Sequence, residues 1–187
     1  MSIETHMKRL KATPLSRRVD PSDSHLRQLE TSLGVVLPSS YAQFLKRFGK
    51  FRVNAKIDCK TLPGAYIAHF YGFRDDDDVE MNPGGEFNEL GLAPVALCIG
   101  SDDWGNQIVL FLADGLNGRI YVYEHDGGAD FMDDPNWQQQ SGLSWADLKQ
   151  YDKASEKPAP FANLHYAAPD FMTFLESLQS NGGEDSA

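Results

Sequence analysis

The stretch LETSLGVVLPSSYAQFLKRFG, Leu29 to Gly49, decides the fold. Leu26, Leu29 and Leu33 recur at spacings of three and four, which puts them on one face of a helix. Gly34 ends that helix, because glycine takes the left-handed conformation at little cost. A short apolar link follows, and Pro38 starts a second helix. Tyr41, Phe44, Leu45 and Phe48 then fall at i, i+3, i+4 and i+7, a full apolar stripe. Lys46 and Arg47 sit in its last turn, where cations suit the helix dipole, and Gly49 closes it. Two stripes of this kind must be buried, and a sheet is the natural surface to bury them.

Upstream, Asp20-Pro21-Ser22-Asp23 has the chemistry of a helix start: Asp20 caps, Pro21 fits the first turn, and Asp23 favours the positive helix end. Residues 1–19 are basic and read as a loose arm. Downstream the chain becomes strand-like. Ala65–Phe73, Pro94–Gly100, Gln107–Ala113 and Arg119–His125 are apolar or aromatic runs. Asp114–Gly118 supplies a Gly/Asn turn between the last two, as a hairpin requires. Asp75–Glu89 and Gly127–Gly142 are loops by composition. Ser144–Asp147 resembles a capping box opening a short helix, and Tyr151–His165 reads as a polar connection. A closing helix begins near Pro169, with Phe171, Phe174, Leu175 and Leu178 repeating the apolar stripe. The expected organisation is a basic arm (1–19), one domain (20–180) and a frayed tail (181–187).

The chain has 187 residues, 41% of them hydrophobic, enough for one domain with a real core. No apolar run approaches the ~20 residues that cross a bilayer, and the N-terminus lacks the apolar stretch of a secretory signal. Two cysteines, Cys59 and Cys98, do not make a disulfide framework; they read as buried thiols in a reducing, cytoplasmic setting. The net charge is −10, unevenly spread: residues 1–60 carry +7, residues 74–134 carry −13 and residues 135–187 carry −4. Such acidity argues against nucleic acid as a partner and suits a basic protein surface.

Three segments together resemble the SUKH superfamily, in its Smi/Knr-type branch. The first is the opening stretch, through Leu33, Gly34, Leu37, Pro38, Tyr41, Phe44, Leu45 and Gly49. The second is Ile99–His125, where Gly100, Asp102, Gly105, Asn106, Gly118, Ile120 and Tyr121 match. The third is Ala168–Leu178, through Ala168, Phe171, Phe174 and Leu175. The resemblance spans about 150 residues in the right order. It implies an α+β fold, a single twisted, mainly antiparallel sheet flanked by helices. It also implies a non-catalytic role. Many bacterial members look like immunity proteins that neutralise a toxin by direct binding, and eukaryotic relatives act as regulators or scaffolds of cell-wall assembly.

No catalytic pattern competes with this. The histidines His6, His25, His69, His125 and His165 fall at no zinc-ligand spacing, and no HExxH, GxSxG, P-loop or GxGxxG is present. Cys98 with His125 as base is a conceivable nucleophile pair, but the run VALCIG buries the thiol in a strand. DDDDVE (Asp75–Glu80) offers hard oxygens yet lacks the glycine and spacing of a calcium loop. The expected protein is therefore no enzyme, binds no cofactor or metal, and acts on a cognate protein toxin with a basic surface. It engages neither nucleic acid nor membrane, and is a monomer or weak dimer. The candidate partner-binding residues are Asp75, Asp76, Asp77, Asp78, Asp102, Asp103, Trp104, Asp126 and Asp130. Within SDDWGN (Ser101–Asn106), Gly105 and Asn106 suit a tight turn, the aspartates suit Arg or Lys of a partner, and Trp104 suits an anchor. The alternatives are that Trp104 packs inward and the aspartates make only turn bonds. A regulatory scaffold without a toxin, and a small-molecule groove between sheet and helices, are the competing functions.

Overall fold

In the computed structural model of the protein, residues 1–15, 23–48, 50–72, 96–112, 117–125 and 164–180 are described. They contain helices α1 (Ile3–Arg9), α2 (Asp23–Leu33), α3 (Ser39–Arg47) and α4 (Phe171–Ser177). The strands are β1 (Thr13–Pro14), β2 (Phe51–Lys56), β3 (Tyr66–Phe70), β4 (Ala96–Ser101), β5 (Gln107–Phe111), β6 (Ile120–Tyr123), β7 (Leu164–Ala168) and β8 (Gln179–Ser180). All pair antiparallel in one sheet. Its spatial order β1-β2-β3-β4-β5-β6-β7 follows the chain, and β8 returns to pair with β2. This is the α+β architecture expected from the sequence.

The opening stretch folds as its spacing dictates. Leu26, Leu29 and Leu33 of α2 are buried, as are Tyr41, Phe44 and Leu45 of α3. Gly34 takes φ +68°, and α2 ends in a pair of reverse hydrogen bonds, Val35 N–H to Glu30 O (3.1 Å) and Gly34 N–H to Thr31 O (3.3 Å). The Glu30 carboxylate then accepts from Leu37 N–H at 3.0 Å, which fixes the link between the helices. The predicted α2 cap at Asp20 and the α3 stop at Gly49 lie outside the described residues, as do the capping box at 144–147 and the tail 181–187.

The core joins both helices to one face of the sheet through Ile67, Phe70, Leu97, Ile99, Ile108, Leu110, Ile120 and Val122. Its centre is aromatic. The Phe171 ring of α4 lies edge-on to Tyr41 at 5.1 Å and to Phe44 at 5.2 Å, with Phe70 at 6.1 Å. The alternate residues of β5 and β6, Val109, Phe111 and Tyr121, are buried as well, so the sheet is closed on both faces. Phe111 packs against Tyr121 at 4.9 Å and Tyr121 against Tyr166 at 5.6 Å. Burial pushes the Tyr121 hydroxyl up to about 12.

Two expectations need correction. The basic arm is not loose over its first residues. Ile3, Met7 and Leu10 recur at i, i+4 and i+7, are buried, and hold α1 on the core. Ser2 caps this helix through its hydroxyl, and Glu4 pairs with Arg47 of α3. Residues 16–19 of the arm lie outside the described residues. The second correction is Cys98, which is half-buried rather than sealed, its thiol donating to Gln107 Oε1 at 2.7 Å; Cys59 is buried as expected. Strands β2 and β7 are further elements that composition did not announce.

Candidate functional site

The turn between β4 and β5, residues 102–106, is built around one carboxylate. Asp102 is buried, and its Oδ1 accepts from Trp104 N–H (2.8 Å) and Asn106 N–H (2.9 Å), while Oδ2 accepts from Asn106 Nδ2 (2.7 Å). Its own N–H donates to Asn106 O at 3.0 Å. An aspartate that bonds the backbone two residues ahead turns the chain without help from neighbours. Gly105 completes the turn at φ +101°, where a side chain would be strained. Asn106 passes the order outward, accepting from His125 N–H at 3.0 Å just beyond β6.

The consequence is a presented indole. Trp104 is 72% exposed, so of the two orientations the sequence leaves open the outward one is found. It is held from below by Tyr66 of β3, edge-on at 5.1 Å and 85°, while the Tyr66 hydroxyl accepts from Asp103 N–H at 3.1 Å. Asp103 turns its carboxylate the other way, toward Arg52 of β2 (3.6 Å) and His69 of β3 (3.9 Å). Three neighbouring strands thus contribute, because Arg52 lies opposite His69 and His69 opposite Ser101 in the register.

Of the nine residues expected to bind a partner, the described structure brings three together. Asp102 is committed to the turn and offers no free oxygen outward. Asp103 is half-exposed and flanked by the Arg52 guanidinium and the His69 ring. Trp104 projects furthest. Asp75, Asp76, Asp77, Asp78, Asp126 and Asp130 lie outside the described residues. Sequence reasoning missed Arg52, Tyr66 and His69; the alternation of FRVNAK, with Val53 and Ala55 inward and Arg52, Asn54 and Lys56 outward, is the signal that would have placed Arg52.

A second polar cluster crosses the sheet edge. The His165 ring of β7 is fully buried, with Nδ1 3.0 Å from Thr61 Oγ1 and Nε2 3.5 Å from the Glu124 carboxylate. This chain ties the β2–β3 loop to β7 and to the residue after β6. Burial lowers the His165 pKa, the Glu124 charge pulling the opposite way. The ring is therefore neutral in the fold at pH 7. The unfolded chain binds its proton near 6.5, so the stability that His165 contributes is complete above that pH and is lost as pH falls toward the folded value. The unfolding free energy from urea titration is expected to drop between pH 7 and pH 5.5, by at most about 1.4 kcal/mol per pH unit for this group, and His165→Gln flattens that slope.

Among the described residues no group of three His, Cys, Asp or Glu side chains is placed to hold a metal ion, and no helix is long and apolar enough to cross a membrane. The family model described as SMI1 / KNR4 family (SUKH-1) matches residues 20–177. No curated protein and no solved structure matches the chain.

Proposed function

This chain belongs to the SMI1 / KNR4 family (SUKH-1), and from that premise we propose that it is an immunity protein. It binds a cognate toxin domain and covers that domain's working surface. No covalent step is part of this reading. The observation that carries it is Trp104: a large aromatic side chain, 72% exposed, on a turn immobilised by its own hydrogen bonds. A water-exposed indole wastes apolar area unless something covers it, and a rigid one loses little entropy when covered. Trp is also among the residues that dominate binding energy at interfaces.

Long-range attraction belongs to the acidic segment. Residues 74–134 carry −13, and a toxin that handles phosphates presents the complementary charge. Asp75–Asp78, Asp126 and Asp130 are assigned to steering, and Trp104 to holding. The two roles separate experimentally. The partner is identified by co-purification from the native host and titrated against the purified chain. Trp104→Ala is expected to weaken binding by about 30-fold or more, mostly through faster dissociation, with the melting temperature unchanged. Neutralising Asp75–Asp78 slows association and flattens its dependence on salt. Unaltered affinity of the Trp104→Ala chain for the identified partner removes the turn from the interface.

A further inference from the structure

Helix α1 lies before residues 20–177, the part that matches the family, and it is fastened to that part at three points. Arg9 spans the end of α4, donating from Nη1 to Leu178 O and from Nη2 to Leu175 O, both at 2.6 Å. Those are carbonyls that a helix end leaves open, and a cation there also suits the dipole. Glu4 pairs with Arg47 on α3. Ile3, Met7 and Leu10 supply the apolar contact. In the middle of this contact sits His6, only 1% exposed, with neither ring nitrogen hydrogen-bonded among the described residues. A buried polar group without a partner is uncommon and calls for a reason.

We infer that α1 is a proton-released clamp: charging His6 undocks α1 from α4 while the sheet stays folded. The groups facing the ring are Arg9 and the Met1 amine from its own segment and Glu176 from α4. Glu176 is 3.9 Å from Nε2 but half-exposed, so water weakens its pull. A docked imidazolium would be stripped of water beside a guanidinium. Burial first, and Arg9 next, hold the His6 pKa below its usual value, Glu176 opposing them. Undocked, the ring recovers its ordinary affinity for a proton. Docking is therefore strongest above about pH 6.5 and weakens below it, by up to about tenfold per pH unit until the docked ring itself titrates. Release uncovers the apolar stripe of α1 and the carbonyls at the end of α4.

The test is hydrogen–deuterium exchange of the full chain at pH 7.5 and pH 5.5, with exchange times scaled for the intrinsic pH dependence. Residues 3–12 are expected to lose up to about tenfold in protection at the lower pH by local opening, and residues 107–111 and 120–123, compared in the His165→Gln background that removes the other buried histidine, to lose far less. His6→Phe keeps the packing and abolishes the difference. Glu176→Gln, on the exposed side of the contact, enlarges it because the opposing attraction is gone. The inference is overturned if protection of residues 3–12 is independent of pH, if in the His165→Gln background it falls by the same factor as that of residues 107–111 and 120–123, or if the fall persists in His6→Phe. A Glu176→Gln response no larger than that of the unaltered chain overturns it too.

Discussion

Phe171→Ala is expected to lower the unfolding free energy by about 3–5 kcal/mol, the largest single effect in the molecule. The ring is fully buried, and it is shared: Tyr41 and Phe44 from α3 and Phe70 from β3 all meet it. Removing it takes away transfer free energy and leaves a space that three rings from two other elements cannot close without leaving their rotamers. The neighbours are themselves central, Tyr41 being so enclosed that burial pushes its hydroxyl well above the usual range. Urea titration checks the number. Phe48→Ala is the comparison, because Phe48 stacks on Phe44 at 5.3 Å but is only half-buried, and its loss costs less. Equal losses for the two would show that α4 does not anchor the core.

The second large effect is Asp102→Ala, about 2–3 kcal/mol in stability, together with weaker binding of the proposed partner. Alanine leaves the Trp104 and Asn106 amides and the Asn106 side chain without the acceptor that a buried carboxylate supplies. Asp102→Asn keeps the oxygen facing the two backbone amides and surrenders only the bond to Asn106 Nδ2, so it costs about 1 kcal/mol. Binding separates geometry from contact. The hydrogen bonds of the Asp102 carboxylate stay within the turn, so its removal is expected to weaken the proposed partner by freeing Trp104. Asp102→Ala and Trp104→Ala are therefore expected to be non-additive in affinity, the double variant binding about as weakly as Trp104→Ala alone. Additive losses would show that the two act separately.

The helix pair and α4 are legible because each carries its period within its own residues, and β3 to β6 because each is an apolar or aromatic run. The residues 39–48 stripe and the runs around Val109 and Tyr121 need no distant partner to be read. Helix α1 was hidden by length and charge. Its seven residues hold four ionisable side chains, and Ile3, Met7 and Leu10 gain meaning only when α4 is found across from them. Strand β2 was hidden because Ala55 is a weak apolar marker, and β7 because a polar Pro-bearing stretch leads into it. At the turn, composition announced a bend, but the direction of Trp104 depended on Tyr66, whose place beside it comes from strand register. Likewise the resemblance to the Smi/Knr-type branch rested on local spacings, and the match over residues 20–177 agrees with it. What no local pattern carries is the pairing of Asp103 with Arg52 and His69, since these residues are drawn together from two strands and the β4–β5 turn.

The strand order has a bearing on how the polypeptide is made. From β2 to β7 each strand pairs with the one synthesised just before it, so the sheet can assemble progressively as the chain leaves the ribosome. The fastening of Arg9 to Leu175 and Leu178, and of β8 onto β2, joins positions more than a hundred residues apart and must wait until residues 175–180 have emerged. Until then Ile3, Met7 and Leu10 have no α4 to rest on, so the first helix of the chain is the last to find its place.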